Sequence, residues 1–284
     1  MPTPPVARIV LATDLTPRCD RAAQRATALA RQWGASLHLI TVLERSSPLD
    51  EDAKSQNAAV ARTRMRAMES LGGFDATVTV LLGRPEDGVV ASAGELAADL
   101  IVTGPPAGNL LTGSILGGTI ASLMRHSQAP VLVVKRPGDR CYRRVVVALD
   151  LSDASRTTIK TAQTIFSSTI PLVVFHAFGT PFRLFAGDVE AYEAGIRDGV
   201  TGELRDALKA WSVPNASDIP VVAEYGDPAV QIRNFVEKND MDVVVTGTHG
   251  RSGLLNVLLG SVAEEIVRSA GCDILIVPVR TWQE

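Results

Sequence analysis

Only three cysteines occur in 284 residues, at Cys19, Cys141 and Cys272. They are odd in number and far apart, with no Cys-x-x-Cys pair and no zinc spacing. A disulfide framework and a structural zinc site are therefore excluded as organising features. Reduced, incidental thiols fit a cytoplasmic setting. Charge of one sign is also scarce: the net charge is −3 and the sequence pI about 5.9, so no global basic field draws the chain to nucleic acid or anionic lipid. The short basic cluster Arg140, Arg143 and Arg144 reads as a solvated hinge. No window approaches the roughly 18 consecutive apolar residues of a membrane-spanning helix. The opening Met1-Pro-Thr-Pro-Pro-Val-Ala-Arg8 lacks the apolar core of a secretion signal. His38, His126 and His176 have no metal-like spacing and are assigned packing or surface roles. The expectation is a cytoplasmic protein with neither a nucleic-acid nor a membrane partner.

What is present is an ordinary globular balance, 46% hydrophobic and 21% charged, arranged as an internal repeat. Arg8-Ile-Val-Leu-Ala-Thr-Asp14 matches Arg144-Val-Val-Val-Ala-Leu-Asp150 at an offset of 136 residues. Later landmarks are offset by 143: Gly83-Arg-Pro85 falls on Gly226-Asp-Pro228, Asp99 on Asp242, and Gly104 on Gly247. The second copy thus carries a net insertion of seven residues between its first and third strands, placed here at Gly179–Asp188. The polar segment Lys135–Arg144, with Pro137 and Gly138, separates the copies. The expected domains are 1–139 and 140–284.

Within each copy, short apolar runs alternate with longer amphipathic stretches. The runs are Arg8–Ala12, Ser36–Leu43, Ala76–Leu82, Leu100–Gly104 and Val131–Lys135, then Arg144–Leu149, Pro171–Ala177, Ile219–Tyr225, Asp242–Gly247 and Asp273–Val279. They are rich in Val, Ile and Leu without strict alternation, the pattern of strands buried on both faces. Helices are predicted over Cys19–Trp33, Asp52–Leu71, Gly88–Ala98, Ala154–Ser167, Asp188–Trp211 and Ala229–Asn239. Such alternation predicts parallel strands joined by right-handed crossovers. The fold class is α/β, with two tandem doubly wound domains of five strands each.

The stretch that carries chemistry follows the fourth strand of the second copy. Gly247-Thr-His-Gly250-Arg-Ser-Gly253 leads to Gly260-Ser261 at a predicted helix start. Glycines admit phosphate oxygens to backbone N–H groups and permit positive φ. A helix N-terminus adds unpaired N–H donors and partial positive charge. The Ser261 hydroxyl can cap that helix or reach a phosphate. Ligands of open α/β sheets bind beyond the carboxyl ends of the strands, where the strand order reverses.

These residues, with Val145-Val-Val-Ala-Leu-Asp150, Gly226-Asp-Pro228, Asp242-Val-Val-Val-Thr-Gly247 and the closing Ile274-Leu-Ile-Val-Pro278, make the chain resemble a tandem universal stress protein over nearly its whole length. The resemblance implies strand order 3-2-1-4-5, ATP or AMP bound in some members, and pairing through the fifth strands. Here that pairing would make an intrachain pseudo-twofold dimer of Val131–Lys135 with Asp273–Val279, and a homodimer of whole chains stays open. It also implies Asp150 beside ribose or adenine, Ala177 near the adenine, and Gly247, His249, Gly250, Gly260, Ser261 and Val262 around the phosphates. Thr246, Thr248 and Arg251 complete the candidate set. Asp150 has a rival reading as a turn or helix-cap carboxylate. His249, expected to meet the phosphate through backbone atoms, has one as a loop histidine hydrogen-bonded to its own backbone, and Arg251 one as a solvated loop arginine.

The first copy departs from this pattern. Ala107 stands where Gly250 would be and Gly118 where Ser261 would be, and Pro105-Pro106 remove two amide donors from the turn. The sequence therefore predicts a degenerate first copy beside a competent second one. The resulting reading is a stress-response protein that holds ATP, AMP or ADP in its second half, with Mg2+ carried by the phosphates, and acts through conformation or a protein partner. Two rivals remain. A slow ATP hydrolase or autophosphorylating protein would need a water-activating carboxylate or Walker-type lysine, and neither is evident. A scaffold or small-ligand binder would use the loop structurally.

Overall fold

The computed structural model describes residues 6–44, 53–106, 117–138, 141–166, 170–179, 189–248 and 260–278. The chain divides into two compact units, Met1–Cys141 and Tyr142–Glu284. Unit 1 runs β1 (Arg8–Ala12), α1 (Asp20–Trp33), β2 (Ser36–Leu43), α2 (Ala53–Ser70), β3 (Thr77–Leu82), α3 (Pro85–Glu95), β4 (Leu100–Thr103), α4 (Gly118–His126) and β5 (Val131–Val133). Unit 2 repeats this order: β6 (Val145–Ala148), α5 (Asp153–Phe166), β7 (Leu172–Phe178), α6 (Val189–Ala210), β8 (Val221–Tyr225), α7 (Pro228–Asn239), β9 (Val243–Gly247), α8 (Ser261–Ser269) and β10 (Asp273–Val277).

All strand pairs within each unit are parallel, in the order β3-β2-β1-β4-β5 and β8-β7-β6-β9-β10. Each unit is thus a doubly wound α/β domain of order 3-2-1-4-5, as the resemblance implies. The central strands are apolar along their length because helices cover both faces, and Leu11, Val102, Val146 and Val244 are fully buried. Right-handed crossovers put α5 and α6 on one face of the unit 2 sheet and α7 and α8 on the other, and α7 packs on α8. The reversal of strand order falls between β6 and β9, so the crevice opens at their carboxyl ends.

Helix boundaries follow local chemistry. Helix α3 starts at Pro85, three residues before the expected Gly88, because proline suits the first helical turn and Arg84 is extended as the N-cap. Helix α7 begins one residue early for the same reason, at Pro228, with Asp227 accepting from the Ala229 and Val230 amides at 3.0 Å each. Gly34 ends α1 in the left-handed region at φ 65°, its N–H bonded to Ala30 O.

The strand registers also locate the insertion. Ala12 stands beside Ile40 and Ala148 beside Phe175, so the offset at the second strands is 135 residues, one less than at the first. At the third strands it is 143, since Leu43 pairs Leu82 and Phe178 pairs Tyr225. The whole insertion therefore lies between β7 and β8. Within the described residues α6 spans 22 residues and α2 spans 18. Most of the expected insertion segment, 180–188, lies outside the described residues.

Two landmarks of the repeat have a shared structural cause. The Asp99 carboxylate accepts from the amides of Ala7 at 3.0 Å and Arg8 at 2.8 Å. The Asp242 carboxylate does the same for Arg143 at 2.7 Å and Arg144 at 2.9 Å. Each aspartate precedes the fourth strand of its unit and anchors the start of the first. No helix among the described residues is long and apolar enough to cross a membrane.

Candidate functional site

Unit 2 holds a cavity of about 470 Å³ at the carboxyl ends of β6, β7 and β9. Asp150, Ala177, Thr246, Gly247, Thr248, Gly260, Ser261 and Val262 all line it. Sequence positions more than 110 residues apart thus meet around one space. His249, Gly250 and Arg251 lie outside the described residues.

The base of the loop is held by backbone bonds. Thr248 N–H donates to Val277 O at 3.1 Å, and Gly260 N–H donates to Thr248 O at 3.0 Å. The second bond corrects one expectation: the Gly260 amide is committed to closing the loop and is not a donor to a ligand. The first bond of α8 runs from Glu264 N–H to Gly260 O at 3.1 Å. The amides of Ser261, Val262 and Ala263 therefore have no partner within the helix, and all three residues line the cavity. Three orphan donors and the positive end of a helix make this wall an anion-binding surface.

Asp150 lines the same cavity, and its carboxylate is already engaged. Its Oδ1 accepts from Ser152 N–H at 3.1 Å, Ser152 Oγ at 2.5 Å and Ser155 Oγ at 2.8 Å. This is the turn role weighed from the sequence, and Leu151 takes φ 64° to complete the turn. The same side chain still faces the cavity, so turn and site coincide.

Several lining residues escaped the sequence reading. Ser155 and Thr158 come from α5, Pro228 and Ile232 from α7, and Ile196, Val200 and Glu203 from α6. The α6 spacing of four and then three residues puts its contributions on one helical stripe, a signal available in the sequence once α6 is known to face the crevice. His176, assigned to packing or surface, is a cavity residue 7% exposed. Its Nδ1 lies 2.6 Å from Leu149 O. Among the described residues, no group of His, Cys, Asp and Glu side chains is arranged to hold a metal ion.

Unit 1 has the corresponding cavity at about 170 Å³, lined in part by Asp14, Arg18, Cys19, Val42, Gly104, Pro105, Pro106, Gly117 and Gly118. The turn is repeated, with Thr16 N–H and Oγ1 on Asp14 Oδ1 at 2.9 and 2.7 Å and Leu15 at φ 56°. Arg18 adds an ion pair to Asp14 Oδ2 at 3.2 Å. Burial works to raise the Asp14 pKa, but bonds from Thr16 and Cys19 and the Arg18 charge outweigh it and hold the carboxyl below its ordinary range. Burial pushes the Cys19 thiol up. A Cβ on Gly104 would stand 2.8 Å from Cys19 Sγ, so glycine is required there by close packing. Among the described residues, none of α2 lines this cavity.

The comparisons with known proteins agree with this architecture. A sequence profile of the Universal stress protein family matches residues 5–135 and again 141–278. A universal stress protein of Methanocaldococcus jannaschii is 31% identical over 150 residues, covering 50% of this chain and 85% of the relative. One from Mycolicibacterium smegmatis is 24% identical over 259 residues, covering 87% of this chain and 83% of the relative. The crystal structure of a universal stress protein from Archaeoglobus fulgidus superposes with a TM-score of 0.64 at 17% identity, over 95% of this chain and 98% of that one. At that identity the likeness speaks for the fold. Matched twice along its length and folded twice in the same strand order, the chain belongs to the universal stress protein family as a tandem of two such domains.

Proposed function

We propose that unit 2 binds an adenine nucleotide, ATP, ADP or AMP, and that the protein acts in a stress response through the conformation or partner that this binding selects. The observation that carries the reading is the cavity of about 470 Å³ in unit 2, within the range of small-molecule sites. One wall offers the amides of Ser261, Val262 and Ala263 to an anion, and another offers the apolar side chains of Ile196 and Val200 to a flat base. Asp150 stands between the strand ends, where a ribose would bridge the two. Mg2+ would travel with the phosphates, since no carboxylate cluster among the described residues provides a site of its own.

Unit 1 is the non-binding copy in this reading. Its cavity is about 170 Å³, Arg18 already neutralises Asp14, and Pro105-Pro106 offer no amide at the turn.

The test is direct. Freshly purified protein is denatured and the supernatant analysed by mass spectrometry for ATP, ADP or AMP, followed by calorimetric titration of ligand-free protein with each. One site per chain is expected. Absence of co-purified nucleotide together with no heat of binding would reject the reading, and two equal sites would reject the silent first unit. Phosphate release over hours separates holding from turnover, and little or none is expected.

A further inference from the structure

The cavity of unit 2 contains one buried polar side chain that neither the fold nor the phosphate wall explains. His176 is 7% exposed and lines the cavity from β7. Its Nδ1 is 2.6 Å from Leu149 O. A carbonyl can only accept, so Nδ1 carries the proton of that bond. In the neutral ring, Nε2 is then an acceptor without a proton. Among the described residues Nε2 has no hydrogen-bond partner. Nε2 is not fully enclosed by protein: it keeps some exposure in the cavity, where a bound group can donate to it.

The surroundings identify the donor. Side chains two apart on a strand share a face, which puts Phe178 beside His176. Phe175, the preceding residue, packs on Phe235 of α7, so His176 faces the other side of the sheet, which carries α6, whose Ile196 and Val200 line the cavity. A flat aromatic ring suits these apolar neighbours better than a polyhydroxyl sugar does. The phosphate wall at Ser261 belongs to α8, on the other face of the sheet. A nucleotide with its phosphates on α8 and its base on the α6 side brings the edge of the base to the histidine.

We propose that His176 is the specificity residue of this cavity, its Nε2 accepting a hydrogen bond from the exocyclic amino group of adenine. The proposal rests on the adenine-nucleotide reading above. The fixed tautomer gives it direction. A purine with a carbonyl oxygen in place of the amino group would set acceptor against acceptor and leave both unpaired. In unit 1, the register puts Thr41 at the corresponding position of β2, and it does not line that unit's cavity.

The experiment compares ATP with inosine triphosphate, which has the same sugar and phosphates but an oxygen at position 6, by calorimetry on the full chain. Wild type should bind ATP about tenfold or more tightly, the worth of one buried hydrogen bond and its loss. His176→Phe should lower ATP affinity to that for inosine triphosphate and abolish the preference. His176→Gln, which can again present an acceptor, should restore part of it. Equal binding of the two triphosphates by wild type overturns the proposal while leaving the nucleotide reading intact. A preference that survives in His176→Phe overturns it too. If neither triphosphate binds wild type, the nucleotide reading itself fails and this inference with it. Should His176→Phe not fold, the wild-type ratio and the His176→Gln ratio still decide, because a purely structural histidine would not move the ratio.

Discussion

Ser155 Oγ and Asp150 bond to each other twice: the hydroxyl donates to Oδ1 at 2.8 Å and accepts from the Asp150 amide at 3.0 Å. The pair locks the exit of β6 onto the first turn of α5. In unit 1 the corresponding pair is Asp14 and Cys19, with a thiol replacing the hydroxyl. Ser155→Ala should therefore destabilise unit 2 by about 1–2 kcal/mol, the value of two partly exposed hydrogen bonds. Ser155→Cys should cost less, because it reproduces the solution unit 1 uses. The measurement is urea-dependent labelling of the buried Cys272 in the full chain, which reports opening of unit 2, with the buried Cys19 reporting unit 1. An equal shift at both thiols would contradict a local role.

The same separation of signals applies to Asp242. Its carboxylate fixes the amides of Arg143 and Arg144. Asp242→Ala should cost about 1–2 kcal/mol in unit 2 and leave Cys19 labelling unchanged. Asp242→Asn keeps one oxygen and should recover most of the loss. Asp99→Ala should give the mirror result.

Much of this architecture was legible because the signals are one-dimensional. The repeat of Asp14 at Asp150 and of Asp99 at Asp242 marks the same turn and the same anchor twice. The apolar runs of β4 and β9 read as buried strands since helices cover both faces. What was not legible depends on direction in space. His176 lies in an apolar run, and nothing in its neighbours says that its ring turns to Leu149 O and the cavity. The α6 stripe of Ile196, Val200 and Glu203 looks like any amphipathic face until the crossover puts it over the crevice. The Gly260 amide looked like a donor to ligand because loop closure onto Thr248 O is a long-range bond with no sequence mark.

Glycines make a contrasting pair. Gly195, Gly199 and Gly202 lie inside α6, and a Cβ at any of them would meet nothing within 4 Å. Gly199→Ala should stabilise unit 2 by about 0.5–1 kcal/mol through helix propensity alone. Gly226 has φ 132°, and its Cβ would stand 2.6 Å from Gln231 Nε2. Gly226→Ala should destabilise by about 1–3 kcal/mol, mainly through backbone strain, since the end of Gln231 can move. Thermal unfolding of the two variants should shift in opposite directions. A shared direction would place one of these backbones elsewhere.

Acid should find unit 1 through Asp14. Its folded pKa lies below the ordinary value of 3.8, so its stabilisation is present above that value and is lost as pH falls through the folded pKa. Asp14→Asn should therefore weaken unit 1 at pH 7. The gap between variant and wild type should narrow as the pH drops past 3.8 and vanish below the folded pKa. Urea midpoints for Cys19 exposure across that range provide the check. A gap that stayed constant into strong acid would mean that the carboxylate's charge contributes nothing.

The phosphate wall can be tested without disturbing the fold that carries it. Ser261 is the first residue of α8, where proline is tolerated because the amide has no helical partner in any case. Ser261→Ala removes only the hydroxyl, and ATP affinity should fall about three- to tenfold if that hydroxyl meets a phosphate. Ser261→Pro removes the amide as well. A hydrogen bond to a charged group is worth about 1.5–3 kcal/mol, so its loss predicts a fall of about tenfold to a hundredfold. Both variants should keep the wild-type Cys272 labelling curve without ligand. Because the amide acts on phosphate alone, adenosine should bind all three proteins alike. Should the variants lose adenosine in step with ATP, the damage would lie in the shape of the cavity rather than in the helix terminus.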